Sequence, residues 1–252
     1  MQEREQMERQ LRRAKIQCLI LGTAALLLGG IQIWQTSHKE KKTAEVGYRI
    51  QTAHPDRGEQ ESEDGGTDLL LLVNKEHALP EDFQVQLHWL NNGSCAVAEE
   101  MYEALKEMLT DGSTEGREFV VASGYRSRER QQQLLEEDIQ RTMENEGLTW
   151  QQAYERETME TMPPGYSEHE TGLAVDIVSL EYQELDKEQE YTAENQWLRE
   201  NCSRYGFILR YPPGTEAITG ISYEPWHFRY VGMEEAEEIM RRGITLEEYL
   251  EK

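Results

Sequence analysis

The chain has 252 residues, a formal net charge of −23 and a hydrophobic content of 37%. This polar composition excludes a protein that crosses a membrane many times, because each helical span needs about 20 predominantly apolar residues. The negative charge argues against nucleic-acid binding, which depends on clustered Lys and Arg side chains that neutralise phosphates. The length allows one large domain or two small ones.

One apolar segment near the start predicts a membrane anchor. Residues 16–34 (IQCLILGTAALLLGGIQIW) carry no charge, and as a helix they would extend about 28 Å, close to the thickness of a bilayer's hydrocarbon core. The excess of Arg and Lys in residues 1–15 predicts a cytoplasmic arm, with the rest of the chain extracellular. A cleaved signal peptide and a buried core helix are the alternatives. The anchor is favoured because the segment ends in bulky Ile33 and Trp34 and lacks a polar face.

Residues 35–67 predict a flexible linker. They are polar and highly charged, and they show no sustained period of 2 or 3.6. A flexible chain of this size has a root-mean-square reach of about 30 Å. Residues 68–252, the predicted folded domain, would therefore lie a short distance above the membrane.

The first half of this domain shows helix and strand signals in irregular alternation. An apolar stripe predicts a helix over residues 97–110, which Gly112 would end. Residues 118–123 (EFVVAS) predict a short strand. Ser127 is placed to cap a helix that runs towards Gly147, and Thr149 to cap another short helix.

The second half contains three segments with strand character, namely GLAVDIVS (172–179), FILRY (207–211) and WHFRYV (226–231). Residues 192–206 predict a helix, and Thr245 with Glu248 forms a capping box for a last helix. Strands and helices are interspersed without a regular βαβ rhythm. The sequence therefore predicts an α+β fold rather than a doubly wound α/β fold.

The cysteines leave two interpretations open. Cys18 lies in the apolar segment, and Cys95 and Cys202 lie in the folded part. The last two could form a disulfide in an oxidising compartment, or they could be small buried apolar side chains.

Two of the six histidines lie in motifs that also carry carboxylate residues. His169 lies in SEHETGLAVD, which ends at Asp176, and His227 lies in EPWHFRY. Catalytic zinc sites often combine two histidines and a carboxylate and leave one position open for water. Asp176 lies in an apolar strand, where its carboxylate needs a metal ion or an Arg side chain to offset the cost of burial. These three residues are therefore the candidate ligands of one Zn²⁺.

Glu224 is the candidate general base beside this set. Strict alternation along a strand would place it on the face opposite His227, but Pro225 interrupts the strand and could turn it inward. A carboxylate there could take a proton from a metal-activated water. The sequence contains no HExxH helix, which excludes the common metalloprotease arrangement.

Three sequence blocks, in order, resemble the VanY-like D-alanyl-D-alanine carboxypeptidase family. They are SGYRSRERQ (123–131), PPGYSEHETGLAVDI (163–177) and EPWHFRY (224–230), and LLLVNKEHALPEDF (70–83) is similar to the family's opening segment. The resemblance extends over about residues 70–232. It implies the hedgehog/DD-peptidase fold, a compact α+β domain with an antiparallel sheet.

The resemblance also implies a role for each matching residue. His169, Asp176 and His227 would bind the zinc ion, and Glu224 would be the catalytic base. Arg126 would polarise the scissile carbonyl and stabilise its oxyanion, the alternative being a structural salt bridge.

Gln131 and Ser167 match positions that help to hold the terminal D-residue and its carboxylate. Their alternatives are a helix-surface residue for Gln131 and a turn residue for Ser167.

The function implied is a zinc-dependent carboxypeptidase that removes the C-terminal D-amino acid from peptidoglycan stem peptides outside the cell. An L,D-carboxypeptidase that acts on tetrapeptide stems would share the metal and the base but have a different pocket. A non-catalytic wall-binding module of the same fold is the third hypothesis. The presence of all three ligands together with Glu224 and Arg126 favours an enzyme.

Overall fold

A computed structural model of the protein describes residues 67–90, 93 and 95–251. The predicted cytoplasmic arm, the predicted membrane anchor at 16–34 and all of the predicted linker except its last residue lie outside the described residues. Within the described range, no helix is long and apolar enough to cross a membrane.

The described residues contain strands, α-helices and short 3₁₀ segments. The strands are β1 (Leu87–Trp89), β2 (Ala96–Ala98), β3 (Phe119–Ser123), β4 (Ala174–Ser179), β5 (Phe207–Leu209) and β6 (His227–Tyr230). The helices are α1 (Glu99–Thr114), α2 (Arg128–Glu146), α3 (Trp150–Glu157), α4 (Ala193–Asn201), α5 (Glu216–Thr219), α6 (Met233–Arg242) and α7 (Leu246–Leu250). The 3₁₀ segments are Glu168–Thr171, Lys187–Tyr191 and Cys202–Tyr205.

The main sheet has four antiparallel strands in the order β3-β4-β6-β5, and β1 pairs with β2 in a separate antiparallel pair. All six residues of β4 are buried, as the apolar run in its sequence predicts for a central strand covered on both faces. The predicted α+β fold with an antiparallel sheet is confirmed.

The two faces of the sheet differ in chemistry. Val175 and Ile177 of β4 and Phe228 of β6 belong to the main hydrophobic core, together with Met101 and Leu105 of α1. Since successive side chains along a strand point to opposite faces, the residues between these apolar positions lie on the other face. That face carries the polar side chains of β4 and β6.

A buried charge network lies on that polar face. Arg210 donates to Glu168 (Nε to Oε1, 2.7 Å) and makes two hydrogen bonds to Glu247 of α7 (2.9 and 2.7 Å). Arg229 of β6 donates to the same Oε1 of Glu168 (2.8 Å) and to the carbonyls of Leu69 and Leu71. Both guanidinium groups are fully buried, so each charge requires a partner. The network thereby ties the segment before β1 and the last helix to the sheet.

The predicted helix caps are present. Ser127 accepts from the backbone N–H of Arg130, and Thr149 and Thr245 each form a capping box. Gly147 ends α2 in the left-handed conformation with φ 68°. These local signals were reliable because capping depends on residues within one helical turn.

The predicted end of α1 at Gly112 is wrong, because the helix continues to Thr114. A Cβ at Gly112 would lie 2.5 Å from the ring of Phe119, so this glycine makes room for a neighbouring aromatic side chain. The predicted helix over 192–206 divides into α4 and a 3₁₀ segment. The β1–β2 pair and α6 were not predicted.

Cys95 and Cys202 are both free and buried. Of the two interpretations, that of small apolar side chains is the one confirmed. Burial raises the pKa of Cys95 to about 11 and that of Cys202 to about 12, so both thiols stay protonated at neutral pH.

Glu247→Gln is expected to destabilise the fold by about 3 kcal/mol at neutral pH, because it removes one member of a buried ion pair. Burial acts to raise the pKa of Glu247, but Arg210 and a hydrogen bond from Asn74 outweigh burial and hold the pKa below its ordinary value of 4.5. The pair therefore stabilises the protein above that pH, and its contribution is lost as the pH falls through the lowered pKa. Urea unfolding at neutral and acidic pH measures the difference.

Glu237→Gln on the exposed side of α6 is the control, with an expected change within about 0.5 kcal/mol. A difference between Glu247→Gln and the unaltered protein that did not shrink towards acidic pH would contradict the prediction.

Candidate metal centre

The pairing of β4 with β6 places two candidate ligands opposite each other. Asp176 and His227 are direct partners in the antiparallel register. His227 Nδ1 lies 3.3 Å from Asp176 Oδ1, and His169 Nε2 lies 3.3 Å from Asp176 Oδ2. One ligand atom from each of the three residues falls within 4.8 Å of the others, and all three side chains are buried.

His169 reaches this point because the chain turns sharply before β4. It lies in the 3₁₀ segment Glu168–Thr171, which ends at Gly172 with φ 73°, a conformation that favours glycine. The His169 Nδ1–H donates to the carbonyl of Gly124 at 2.8 Å. A Cβ at Gly124 would lie 2.3 Å from the Ala96 carbonyl, so only glycine fits here without a shift of the backbone. The bond at Nδ1 leaves Nε2 of His169 free to face Asp176.

Glu224 turns inward, as its position beside Pro225 allows. Its side chain is 8% exposed, and its Oε2 lies 3.6 Å from His227 Nδ1. The side-chain amide of Asn195 in α4 donates to the Pro225 carbonyl at 2.5 Å and holds the turn. Burial raises the pKa of Glu224 to about 8, with His227 opposing and Asp176 adding to the rise.

Arg126 directs a positive charge at the same place. Its Nη2 lies 3.9 Å from Asp176 Oδ2 and donates to Ser123 Oγ at 2.9 Å. Its Nη1 donates to Gln131 Oε1 at 2.7 Å. Burial lowers the pKa of Arg126, and Asp176 partly opposes that effect. A guanidinium group nevertheless stays charged in proteins.

Gln131 and Ser167 both line the cleft. Gln131 is 1% exposed, so a helix-surface position is wrong for it. Its amide donates to the Met162 carbonyl at 2.6 Å while its oxygen accepts from Arg126, so its side chain fixes the arginine. Ser167 is 4% exposed and makes no side-chain capping bond to the 3₁₀ segment that follows it.

The ionisable groups of the centre interact strongly. Burial acts to raise the pKa of Asp176, but the two histidines hold it well below its usual value. Burial alone would lower the pKa of His227, but Asp176 and Glu168, with Glu224, raise it to about 9. Burial lowers the pKa of His169. The carboxylates therefore outweigh burial at His227, whereas burial prevails at His169.

These residues fit a metal ion. Oδ1 of Asp176 is buried and has no hydrogen-bond partner among the described residues. An orphaned carboxylate oxygen is costly in a protein interior, and a cation would satisfy it. Two imidazole nitrogens and a carboxylate form a ligand set suited to zinc, with further positions left for water or substrate.

The sequence patterns did not point to Glu168. Its Oε2 lies 3.5 Å from His227 Nε2, on the side of the imidazole away from Asp176. Burial acts to raise the pKa of Glu168, but Arg210 and Arg229 outweigh it and hold the pKa well below its usual range. The available signal was an arginine in each of two largely apolar strand motifs, FILRY and WHFRY, and a glutamate directly before His169 in SEHE.

The centre opens into a cleft of about 290 Å³. One wall comes from α2, including Leu134 and Asp138, and another from Leu185 and Trp226. A buried His–Asp–His set, with a carboxylate and an arginine beside it at the base of a cleft, defines a single-metal hydrolase centre.

Comparisons with known proteins agree with this class. The family model for VanY, D-alanyl-D-alanine carboxypeptidase, matches residues 94–233. A D-alanyl-D-alanine carboxypeptidase of Enterococcus faecalis is 39% identical over 181 residues, which are 72% of this chain and 65% of that protein. The chain therefore belongs to the VanY D-alanyl-D-alanine carboxypeptidase family.

Two solved structures are similar in fold and sequence. A mutant of the vancomycin-resistance D,D-pentapeptidase VanY, in complex with Zn(II), is 39% identical with a TM-score of 0.66, covering 72% of this chain and 98% of that one. The LD-carboxypeptidase LdcB is 36% identical with a TM-score of 0.63, covering 73% of this chain and 86% of that one.

Zinc is expected to stabilise the protein by about 2.7 kcal/mol when the free metal is at about 100 times its Kd, because the ligands come together only in the folded state. His169→Ala should lose most of this stabilisation. Thermal unfolding with and without added zinc measures it.

His77→Ala, at an exposed histidine outside the metal centre, should keep the full zinc effect. Equal stabilisation of the His169→Ala and His77→Ala variants would contradict the assigned ligand set.

Proposed function

We propose that the protein is a zinc-dependent D,D-carboxypeptidase that removes the terminal D-alanine from peptidoglycan stem pentapeptides. The observation that carries the proposal is the convergence of His169, Asp176 and His227, with Glu224 Oε2 at 3.6 Å from His227 Nδ1. Membership of the VanY family and the cleft above these residues support it.

Glu224 is the proton carrier of the proposed reaction. A bound Zn²⁺ supplies Lewis acidity towards the scissile carbonyl and makes a nearby water more acidic. Glu224 is close enough to the ligand set to take the proton of that water, and it then gives the proton to the leaving amine. The hydrogen bond from Asn195 to the Pro225 carbonyl fixes the turn beside Glu224, so the carboxylate stays directed at the metal ligands.

Arg126 stabilises the charge that develops on the scissile carbonyl oxygen. Gln131 and Ser123 each hold one of its terminal nitrogens, so the guanidinium group does not reorganise as the charge forms. Preorganised donors of this kind contribute about 3 kcal/mol to the stability of a transition state. Ser167, which also lines the cleft, is available to hold the terminal carboxylate of the substrate.

The relatives support a preference for the pentapeptide. The E. faecalis relative is a D-alanyl-D-alanine carboxypeptidase, and the VanY structure is that of a D,D-pentapeptidase. The LD-carboxypeptidase LdcB, at 36% identity, supports a second candidate activity, removal of D-alanine from tetrapeptides. Both activities would use the same metal ligands and base, so they differ only in the bond that the cleft accepts.

Glu224→Gln is expected to lower kcat on the pentapeptide by about 10²–10⁴-fold, because the amide does not accept a proton. Zinc content should stay at that of the unaltered protein. Mass spectrometry of penta- and tetrapeptide stems, incubated with zinc-loaded protein with and without a chelator, measures the loss of terminal D-alanine.

Glu237→Gln on α6 should retain full activity. Cleavage of the tetrapeptide alone would replace the D,D assignment with L,D-carboxypeptidase. If zinc-loaded protein bound both peptides and cleaved neither, the wall-binding hypothesis would take the place of the enzyme.

We also propose that residues 16–34 anchor the protein in the cell membrane, with the folded domain outside. Their lack of charge and the basic residues before them support this arrangement. The protein should stay in the membrane fraction after washing at high pH, whereas a variant that lacks residues 1–34 should be released. Release of both forms would contradict the anchor.

A further inference from the structure

The buried network of Glu168, Arg210, Arg229 and Glu247 takes no part in the proposed reaction, yet it ends at the metal centre. Glu168 directly precedes His169, and Arg229 lies two residues after His227, whereas Arg210 and Glu247 are farther from the ligands along the chain. All four residues are at most 7% exposed. Two positive and two negative charges balance within the network. One carboxylate oxygen has no hydrogen-bond partner within it.

That oxygen is Oε2 of Glu168. Both arginines bind the other oxygen, Oε1, at 2.7 and 2.8 Å. Oε2 is buried, has no hydrogen-bond partner among the described residues, and lies 3.5 Å from Nε2 of His227. Nε2 of His227 is likewise buried and without a partner. An acceptor and a potential donor therefore face each other, and a small rotation of the imidazole would close the bond.

A proton at Nε2 decides which nitrogen of His227 can bind metal. A neutral imidazole carries one proton, so a proton held at Nε2 leaves the lone pair on Nδ1. Nδ1 is the nitrogen that lies 3.3 Å from Asp176. His169 shows the opposite pattern, because its Nδ1–H donates to the Gly124 carbonyl and its Nε2 faces Asp176. The two ligands thus present different nitrogens to the same point.

The arginines make Glu168 a rigid acceptor. Arg210 itself donates two hydrogen bonds to Glu247, and Arg229 donates to the carbonyls of Leu69 and Leu71. The carboxylate of Glu168 cannot turn away from His227 without breaking these bonds. Partners behind a metal ligand of this kind fix both the tautomer and the orientation of the ring.

We propose that Glu168 is a positioning residue of the metal centre, which holds the proton of His227 at Nε2 and so directs Nδ1 to the ion. This role rests on the metal-dependent function proposed above. Arg210 and Arg229 act through Glu168 by fixing its second oxygen. Glu168 acts through His227.

The test compares zinc affinity in two full-length variants that disturb the same network. Glu168→Gln removes the negative charge that faces His227. Glu247→Gln removes the other negative charge that pairs with Arg210, but Glu247 has no contact with His227. Competition with a chelator should show a Kd for zinc raised about 10–100-fold in Glu168→Gln. The Kd of Glu247→Gln should stay within about twofold of the unaltered protein, since its effect is on folding stability.

Equal losses of affinity in the two variants would overturn the proposal, because the network would then act only on stability. An unchanged Kd in Glu168→Gln would overturn it as well. Affinity is measured without substrate, so a protein that binds zinc but cleaves no peptide would contradict the proposed function and leave this comparison intact.

A second measurement needs no variant at Glu168. In full-length protein with isotope-labelled histidine, loaded with a cadmium isotope that couples to nitrogen, NMR shows which ring nitrogen carries the metal and which carries the proton. His227 should carry the metal at Nδ1 and a proton at Nε2, and His169 should carry the metal at Nε2 and a proton at Nδ1. Metallation of both histidines through Nε2 would overturn the proposal.

Discussion

The direct pairing of Asp176 with His227 across β4 and β6 is the constraint on which the metal centre depends. Side chains alternate along a strand, so a slip of one residue would move one of these two groups to the opposite face. Val175, Ile177 and Phe228 resist such a slip, because it would take apolar side chains out of the main core and place a carboxylate there. The hydrophobic core under α1 therefore specifies the geometry of a centre that lies on the other side of the sheet.

Charge on the polar face of the sheet is compensated in two different ways. Glu168 is neutralised by two buried arginines, which in turn bind Glu247 and the backbone near Leu69. Asp176 has the two histidines and the more distant Arg126, and one of its oxygens has no hydrogen-bond partner among the described residues. The charges of the first arrangement balance within the protein, and its one unpaired oxygen faces His227, whereas the unpaired oxygen of Asp176 lies among the candidate metal ligands. This difference separates the supporting network from the site it supports.

The chemistry and the specificity of the cleft come from different parts of the chain. The ligands and Glu224 are placed by β4, β6 and the short turns that lead into them. The walls come from α2 and from loops, as shown by Leu134 and Leu185. Loops and surface helices vary more readily than a central strand. The walls of the cleft can therefore vary without disturbing the strands that place the metal ligands.

The sequence by itself determined the helix caps, the buried central strand and the candidate ligands, because these depend on neighbours within a few residues or on a compact motif. It also predicted that Pro225 could turn Glu224 inward. It did not identify the role of Glu168, the fixing of Arg126 by Gln131 or the continuation of α1 past Gly112. Each of these depends on a contact that only tertiary packing creates: Glu168 with Arg210 and Arg229, Gln131 with Met162 and Arg126, and Gly112 with the ring of Phe119. Local patterns report the preferences of a segment, whereas the partner of a buried charge or the neighbour of a glycine is decided by where distant segments meet.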